Sequence, residues 1–429
     1  MTLSTQIDVL AARAIPGLDL GSGAVYPHYA GRSLLNLPAS ICRLLGVPAF
    51  GAPALDDALL APLGGAYRRV LLILVDGLGL DLLAGVRAAA ARRQMDDPWT
   101  ALLERAVPAA LTSIVPSTTA AALTALWTGQ PAAASAITGY EIWLKEYGII
   151  VNAITHSPMA FAGEPGSMRR AGMYPETFLP NPTLGPHLAV HGVSATAYHP
   201  HLLAHSSLST MLLPGVKSSG YRNLNDLWIT LRDDLRASPG PVYLYAYFAE
   251  IDELAHRFGP GDERVMLEVL QFGRQLRLFL EMLREPPLKD TLVLLAADHG
   301  QMPTPRDTRF DLNRHPGLLD CLVMRPSGEG RIAYLFLRSG REDDARRYID
   351  KTWPGEFRIF PSRQLLESGL FGAGPASAQA AERMGDWTVV PQGSAYWWWG
   401  AKENHLLGRH GGLSRAEMLV PLFAFTSAG

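Results

Sequence analysis

Residues 293–302 read VLLAADHGQM. Five apolar residues, Val293 to Ala297, run directly into Asp298, His299 and Gly300. A continuous apolar run of this length suits a strand covered on both faces, as in a parallel sheet. Ending it on two metal-ligating side chains and a glycine raises the question of whether the event recurs.

It does. RRVLLILVDG (68–77) is an apolar run that ends on Asp76 and Gly77. VYLYAYFAEIDELAH (242–256) is an apolar run followed by Asp252 and, four residues later, His256. LLGRHGGLSRAEMLVPL (406–422) sets His410 before a glycine pair, ahead of another apolar run. GIIVNAI (148–154), VSATAYH (193–199) and MLVPLFAF (418–425) complete the expected strands. Helical patterns alternate with them at 118–129, 223–237 and 262–285. This alternation predicts an α/β fold with a doubly wound, mostly parallel sheet. Residues 301–402 differ, with a polar turn, two short strands, a helix and a Gly/Ala-rich stretch. They are expected to form a small α+β lid inserted into a metallo-hydrolase core of 1–300 plus 403–429.

Composition excludes several classes. The 429 residues are 48% hydrophobic and 18% charged, with a formal net charge of -2, ordinary for a globular protein with a large core. No basic run interleaved with aromatics supports a nucleic-acid polymer as partner. No segment reaches the ~18 uninterrupted apolar residues of a membrane span. The N-terminus lacks the pattern of a signal peptide. The two cysteines, Cys42 and Cys321, are far apart and are expected to be reduced. These features predict a cytoplasmic chain without a membrane partner.

In open α/β sheets, ligands bind outside the carboxyl ends of the strands. Asp76, Asp252, His256, Asp298, His299 and the loop residue His410 are therefore expected to converge on one sheet edge. Mixed carboxylate and imidazole donors suit zinc or a related first-row metal, and six are enough for two ions. VPSTTAAALTALWTG (115–129) adds hydroxyls ahead of an Ala-rich helix, whose first turn favours an anion such as phosphate. Taken singly, each motif has a plain structural reading: a turn, a solvated helix face, an N-cap. Five of them in this order at predicted strand ends are poorly explained that way.

The ordered set VDG, PSTTAAALTALWTG, DELAHRFGP, ADHG and RHGG resembles the alkaline phosphatase superfamily, specifically its type I phosphodiesterase/nucleotide pyrophosphatase family. The resemblance covers roughly 65–300 and 403–425. It implies that Asp76, Asp298, His299 and the hydroxyl of Thr119 bind one divalent metal, and that Asp252, His256 and His410 bind a second. Zinc is the implied metal, with manganese the alternative. Thr119 rather than Thr118 fits the family spacing of the nucleophile relative to Pro116 and Gly129, leaving Thr118 a capping or packing role. The implied reaction is two-metal hydrolysis of phosphodiesters or nucleotide pyrophosphates through a covalent phospho-threonine, on a small phosphate ester such as a nucleotide. The family pattern carries Asn where this chain has Ala122, so oxyanion stabilisation is expected from the metals, the N–H groups of the helix start or another donor.

Two rivals share the core: a phosphomonoesterase or phosphonate hydrolase, and a non-catalytic binding protein. A mutase is disfavoured because such relatives usually offer Ser as the nucleophile, and a sulfatase because the nucleophile segment has no Cys. His199, His201 and His205 form a tempting cluster, but the ligand set is complete without them. His405 competes with His410, and the glycine pair favours His410. Tyr140 and YWWW (396–399) offer base-stacking surfaces, although packing is the commoner fate of clustered aromatics.

Overall fold

The computed structural model describes residues 2–160 and 163–426. A seven-stranded sheet runs in the order Val107–Thr112, Leu419–Thr426, Thr291–Ala296, Arg69–Val75, Val242–Phe248, Ser194–Pro200, Lys217–Tyr221. The five strands from Thr291–Ala296 to Lys217–Tyr221 pair in parallel. Leu419–Thr426 pairs antiparallel with both neighbours. Every residue of Arg69–Val75, Val242–Phe248 and Thr291–Ala296 is buried, as continuous apolar runs require of strands covered on both faces.

The helices form two groups. Glu263–Met282 packs with Leu80–Arg92, Pro98–Arg105 and Leu224–Ala237, while Thr119–Thr128 packs with Leu37–Leu44, Leu184–Val190 and Ser207–Leu212. The Thr119–Thr128 helix is buried on all sides, which its Ala-rich, uniformly apolar composition permits. Among the described residues, no helix is long and apolar enough to cross a membrane.

A second seven-stranded sheet contains Phe357–Pro361, Trp387–Pro391, Ile332–Leu335 and Ser327–Glu329 from the stretch expected as an insertion. It continues into Glu141–Leu144, Ile149–Asn152 and Ser157–Pro158. This corrects the sequence reading, which places 148–154 among the parallel strands. Leu144 pairs with Ile149 across a tight connection, and antiparallel strands accept such short links whereas parallel ones need a long crossover. Two strands of the main sheet, Val107–Thr112 and Lys217–Tyr221, lie at its edges and went unread. The first carries Pro108 and the second is the polar KSSGY, so neither shows a buried-strand pattern.

Candidate active site

The three central strands are in register, with Val75 opposite Phe248 and Leu74 opposite Ala296. Their carboxyl ends therefore fall side by side, and Asp76, Asp252 and Asp298 leave the sheet at one place. Asp252 lies in the first turn of the Glu250–Phe258 helix, with His256 one turn on. His410 comes from the loop before the last strand, and Thr119 opens its buried helix.

Two groups of donor atoms converge. His299 Nε2 lies 3.3 Å from Asp76 Oδ1, 3.5 Å from Asp298 Oδ2 and 3.2 Å from Thr119 Oγ1. Thr119 Oγ1 is also 3.4 Å from Asp76 Oδ2. In the second group, His256 Nε2 lies 3.3 Å from Asp252 Oδ2 and 3.1 Å from His410 Nε2, which is 3.9 Å from Asp252 Oδ1. The rings of His299 and His410 stack with centroids 3.7 Å apart, joining the groups into one centre.

The hydrogen bonds of the imidazoles test whether this centre fits cations. Nδ1 of His256 faces the carbonyl of Gly408 at 2.9 Å, that of His410 faces Ser117 at 3.1 Å, and that of His299 faces Gly300 at 3.2 Å. A carbonyl only accepts, so each Nδ1 donates, and each Nε2 is left facing carboxylates or the other imidazole. Two Nε2 atoms 3.1 Å apart call for a proton or a metal ion between them. Asp76 Oδ1 and Asp298 Oδ2 are likewise buried without hydrogen-bond partners. Burial, then the neighbouring Asp298 and Asp252 carboxylates, push the Asp76 carboxyl well above its usual range. Burial and then His299 hold the His410 imidazole well below its own. A backbone-anchored Nδ1 and an Nε2 aimed at carboxylates is the usual arrangement of metal-binding histidine. The donors fit.

Residues the sequence reading missed support these groups. Tyr247, inside a core strand, donates its hydroxyl to Asp76 Oδ2. Gln301 donates to Asp252 Oδ1 and, at 3.2 Å, to the Asp252 carbonyl. Glu329, from the second sheet, accepts from Thr118 Oγ1 at 2.6 Å and from the Tyr140 N–H at 2.8 Å. Thr118 thus occupies the N-cap position without capping by its side chain, and the helix start receives no side-chain acceptor there. Arg331, in the turn after the Ser327–Glu329 strand, grips Glu417 at 2.8 and 3.0 Å, and Glu417 accepts the Gly412 N–H at 2.9 Å, fixing the loop that carries His410.

The remaining tempting residues fall outside. His201 and His205 sit in a turn rather than on a helix face. His199 is buried against the rings of Tyr245 and Tyr247, and burial pushes its imidazole down to about 4. His405 is exposed. Tyr396, Trp397 and Trp399 are buried in a second hydrophobic core, and the partly buried Trp398 packs against it. Ala122 is fully buried in its helix.

The family described as type I phosphodiesterase / nucleotide pyrophosphatase matches residues 70–412. Among solved structures, the chain is similar to murine ectonucleotide pyrophosphatase/phosphodiesterase 5, at a TM-score of 0.61 and 15% identity, covering 83% of this chain and 88% of that one. An inactive form of the murine protein in complex with AMP matches at 0.61 and 15%, covering 83% and 87%. Phosphonoacetate hydrolase from Sinorhizobium meliloti 1021, in complex with phosphonoformate, matches at 0.60 and 15%, covering 83% and 90%. No curated protein matches the chain.

Proposed function

Because the chain belongs to the type I phosphodiesterase/nucleotide pyrophosphatase family, we propose that it hydrolyses small phosphodiesters or nucleotide pyrophosphates with Thr119 as nucleophile. The observation that carries this reading is the position of the Thr119 hydroxyl, held against Asp76 and His299 at the start of an uncapped, buried helix. Asp76, Asp298, His299 and Thr119 would hold one divalent cation, and Asp252, His256 and His410 a second, with zinc the best match and manganese the alternative. Cations bound there would acidify the threonine hydroxyl and neutralise charge on the phosphate oxygens.

The chain supplies the rest. Thr119 Oγ1 attacks phosphorus and forms an O–P bond, its proton passing to water, as the alcohol or phosphate leaving group departs with its electron pair. Water then cleaves the phospho-threonine ester and returns the hydroxyl. The backbone N–H groups of the helix start favour the phosphate charge that Ala122 leaves without a side-chain donor. Residues 301–402, with the 141–158 strands, form the cover over the strand ends. The free, buried Cys42 and Cys321 support a reducing, cytoplasmic setting. A non-catalytic role is disfavoured, since buried carboxylates without partners are costly to retain.

Elemental analysis, run beside hydrolysis of bis(p-nitrophenyl) phosphate and p-nitrophenyl phosphate, tests the reading. Two metal equivalents with dominant diester cleavage are expected, and a chelator should abolish turnover. Dominant monoester cleavage would move the protein to phosphatase chemistry, and full activity after complete metal removal would overturn the mechanism. Removing the donor to Asp76, in Tyr247→Phe, should weaken metal binding about 10- to 100-fold by competition titration. An unchanged affinity would make Tyr247 a packing residue only.

A further inference from the structure

Glu329 is an acidic side chain that the proposed reaction leaves without a role. Its strand pairs Gly328 with Glu141, and its Oε1 is tied to Thr118 and Tyr140. Its Oε2 has no hydrogen-bond partner among the described residues. The His410 loop is shaped around it. Gly411 has φ +107°, and a Cβ there would lie 2.8 Å from the Cβ and Cγ of Glu329. The carboxylate therefore stands between the residue before Thr119 and the residue after His410. Both bonds it receives come from neutral donors.

The cations nearby in sequence are engaged elsewhere. Arg331 is held by Glu417 and by the Gly393 carbonyl at 2.8 Å. Arg409 bonds Thr304 Oγ1 at 2.7 Å and lies 3.8 Å over the Tyr396 ring. Among the described residues, no Arg or Lys forms an ion pair with Asp76, Asp252, Asp298 or Glu329. Two divalent cations would match the charge of these four carboxylates and leave none to spare. A dianionic phosphate, usually gripped by arginine forks, finds none here. It would also meet Glu329 with one more negative charge than a diester monoanion carries.

We propose that Glu329 is a specificity-determining residue that admits monoanionic phosphodiesters and turns away dianionic phosphomonoesters. This rests on the phosphodiesterase reading and names the charge of its substrate. Glu329→Gln keeps the acceptor for Thr118 and Tyr140 while removing the charge. Relative to the wild type, the variant should raise kcat/KM for p-nitrophenyl phosphate over that for bis(p-nitrophenyl) phosphate at least tenfold. In a Thr119→Ala background, where neither ester is turned over, Glu329→Gln should tighten calorimetric binding of inorganic phosphate about tenfold at pH 8. Binding of the diester should stay unchanged, and Glu329→Asp should retain the wild-type ratio. With metal content intact, an unchanged ratio and unchanged phosphate affinity in Glu329→Gln would overturn the assignment alone. A wild type that cleaves neither ester would overturn the hydrolase reading and this inference with it.

Discussion

Thr119→Ala is expected to abolish turnover, by roughly 10³- to 10⁶-fold in kcat, as removal of a nucleophile does, while the cations stay bound. The fold should barely register the change. Thr119 is 8% exposed at the start of its helix, and alanine is the better helix former. Among the described residues the hydroxyl bonds Asp76 and His299, and Asp76 keeps its bond from Tyr247 when that hydroxyl is lost. Thr118→Ala provides the contrast. It removes the bond to Glu329, which is worth about 1 kcal/mol or somewhat more for a charged acceptor, and should leave catalysis largely standing. Mass spectrometry of a quenched wild-type reaction should find phosphate esterified to Thr119. Undiminished activity in Thr119→Ala, or a phosphate on Thr118, would sink the assignment.

The parts of this centre legible in the sequence share one property: each announces itself locally. Asp76, Asp252 and Asp298 follow apolar runs, and the glycines after Asp76, His299 and His410 mark the chain leaving regular structure. The supporting residues have no such signal. Tyr247 alternates with Tyr243 and Tyr245 in a strand where every position is buried, so its hydroxyl looks like core decoration. Gln301 follows DHG and reads as an ordinary loop residue, and Glu329 reads as part of a polar turn more than two hundred positions from Thr118. Only tertiary pairing brings the second sheet to the helix start. The same blindness affects the 141–158 strands, because a branched apolar run looks alike in a parallel core or an antiparallel hairpin. His201 and His205 show the opposite failure, a helical spacing in a segment that forms a turn.

Asp252→Ala should reduce the metal content from two equivalents to one and lower turnover by about 10³-fold or more, the scale of losing a major electrostatic stabiliser. Asp252 contacts both His256 and His410, at 3.3 and 3.9 Å. Without it, two imidazoles remain to hold a divalent ion, too few for a stable site. Burial pushes its carboxyl upward, but His256 and then His410 outweigh that and keep it ionised far below the usual range. Gln301, which donates to the same carboxylate, would be left with a buried amide facing a gap. The stoichiometry also decides how the donors are divided, because Asp252, His299 and His410 approach one another as closely as Asp76, Asp298 and His299 do. One equivalent remaining means that Asp76, Asp298 and His299 hold their ion independently. No metal remaining means that His299 is shared and that both ions bind or leave together, in which case His256→Ala should be the milder change. Two equivalents retained would remove Asp252 from the ligands, and its contact with Gln301 would then be the whole of its role.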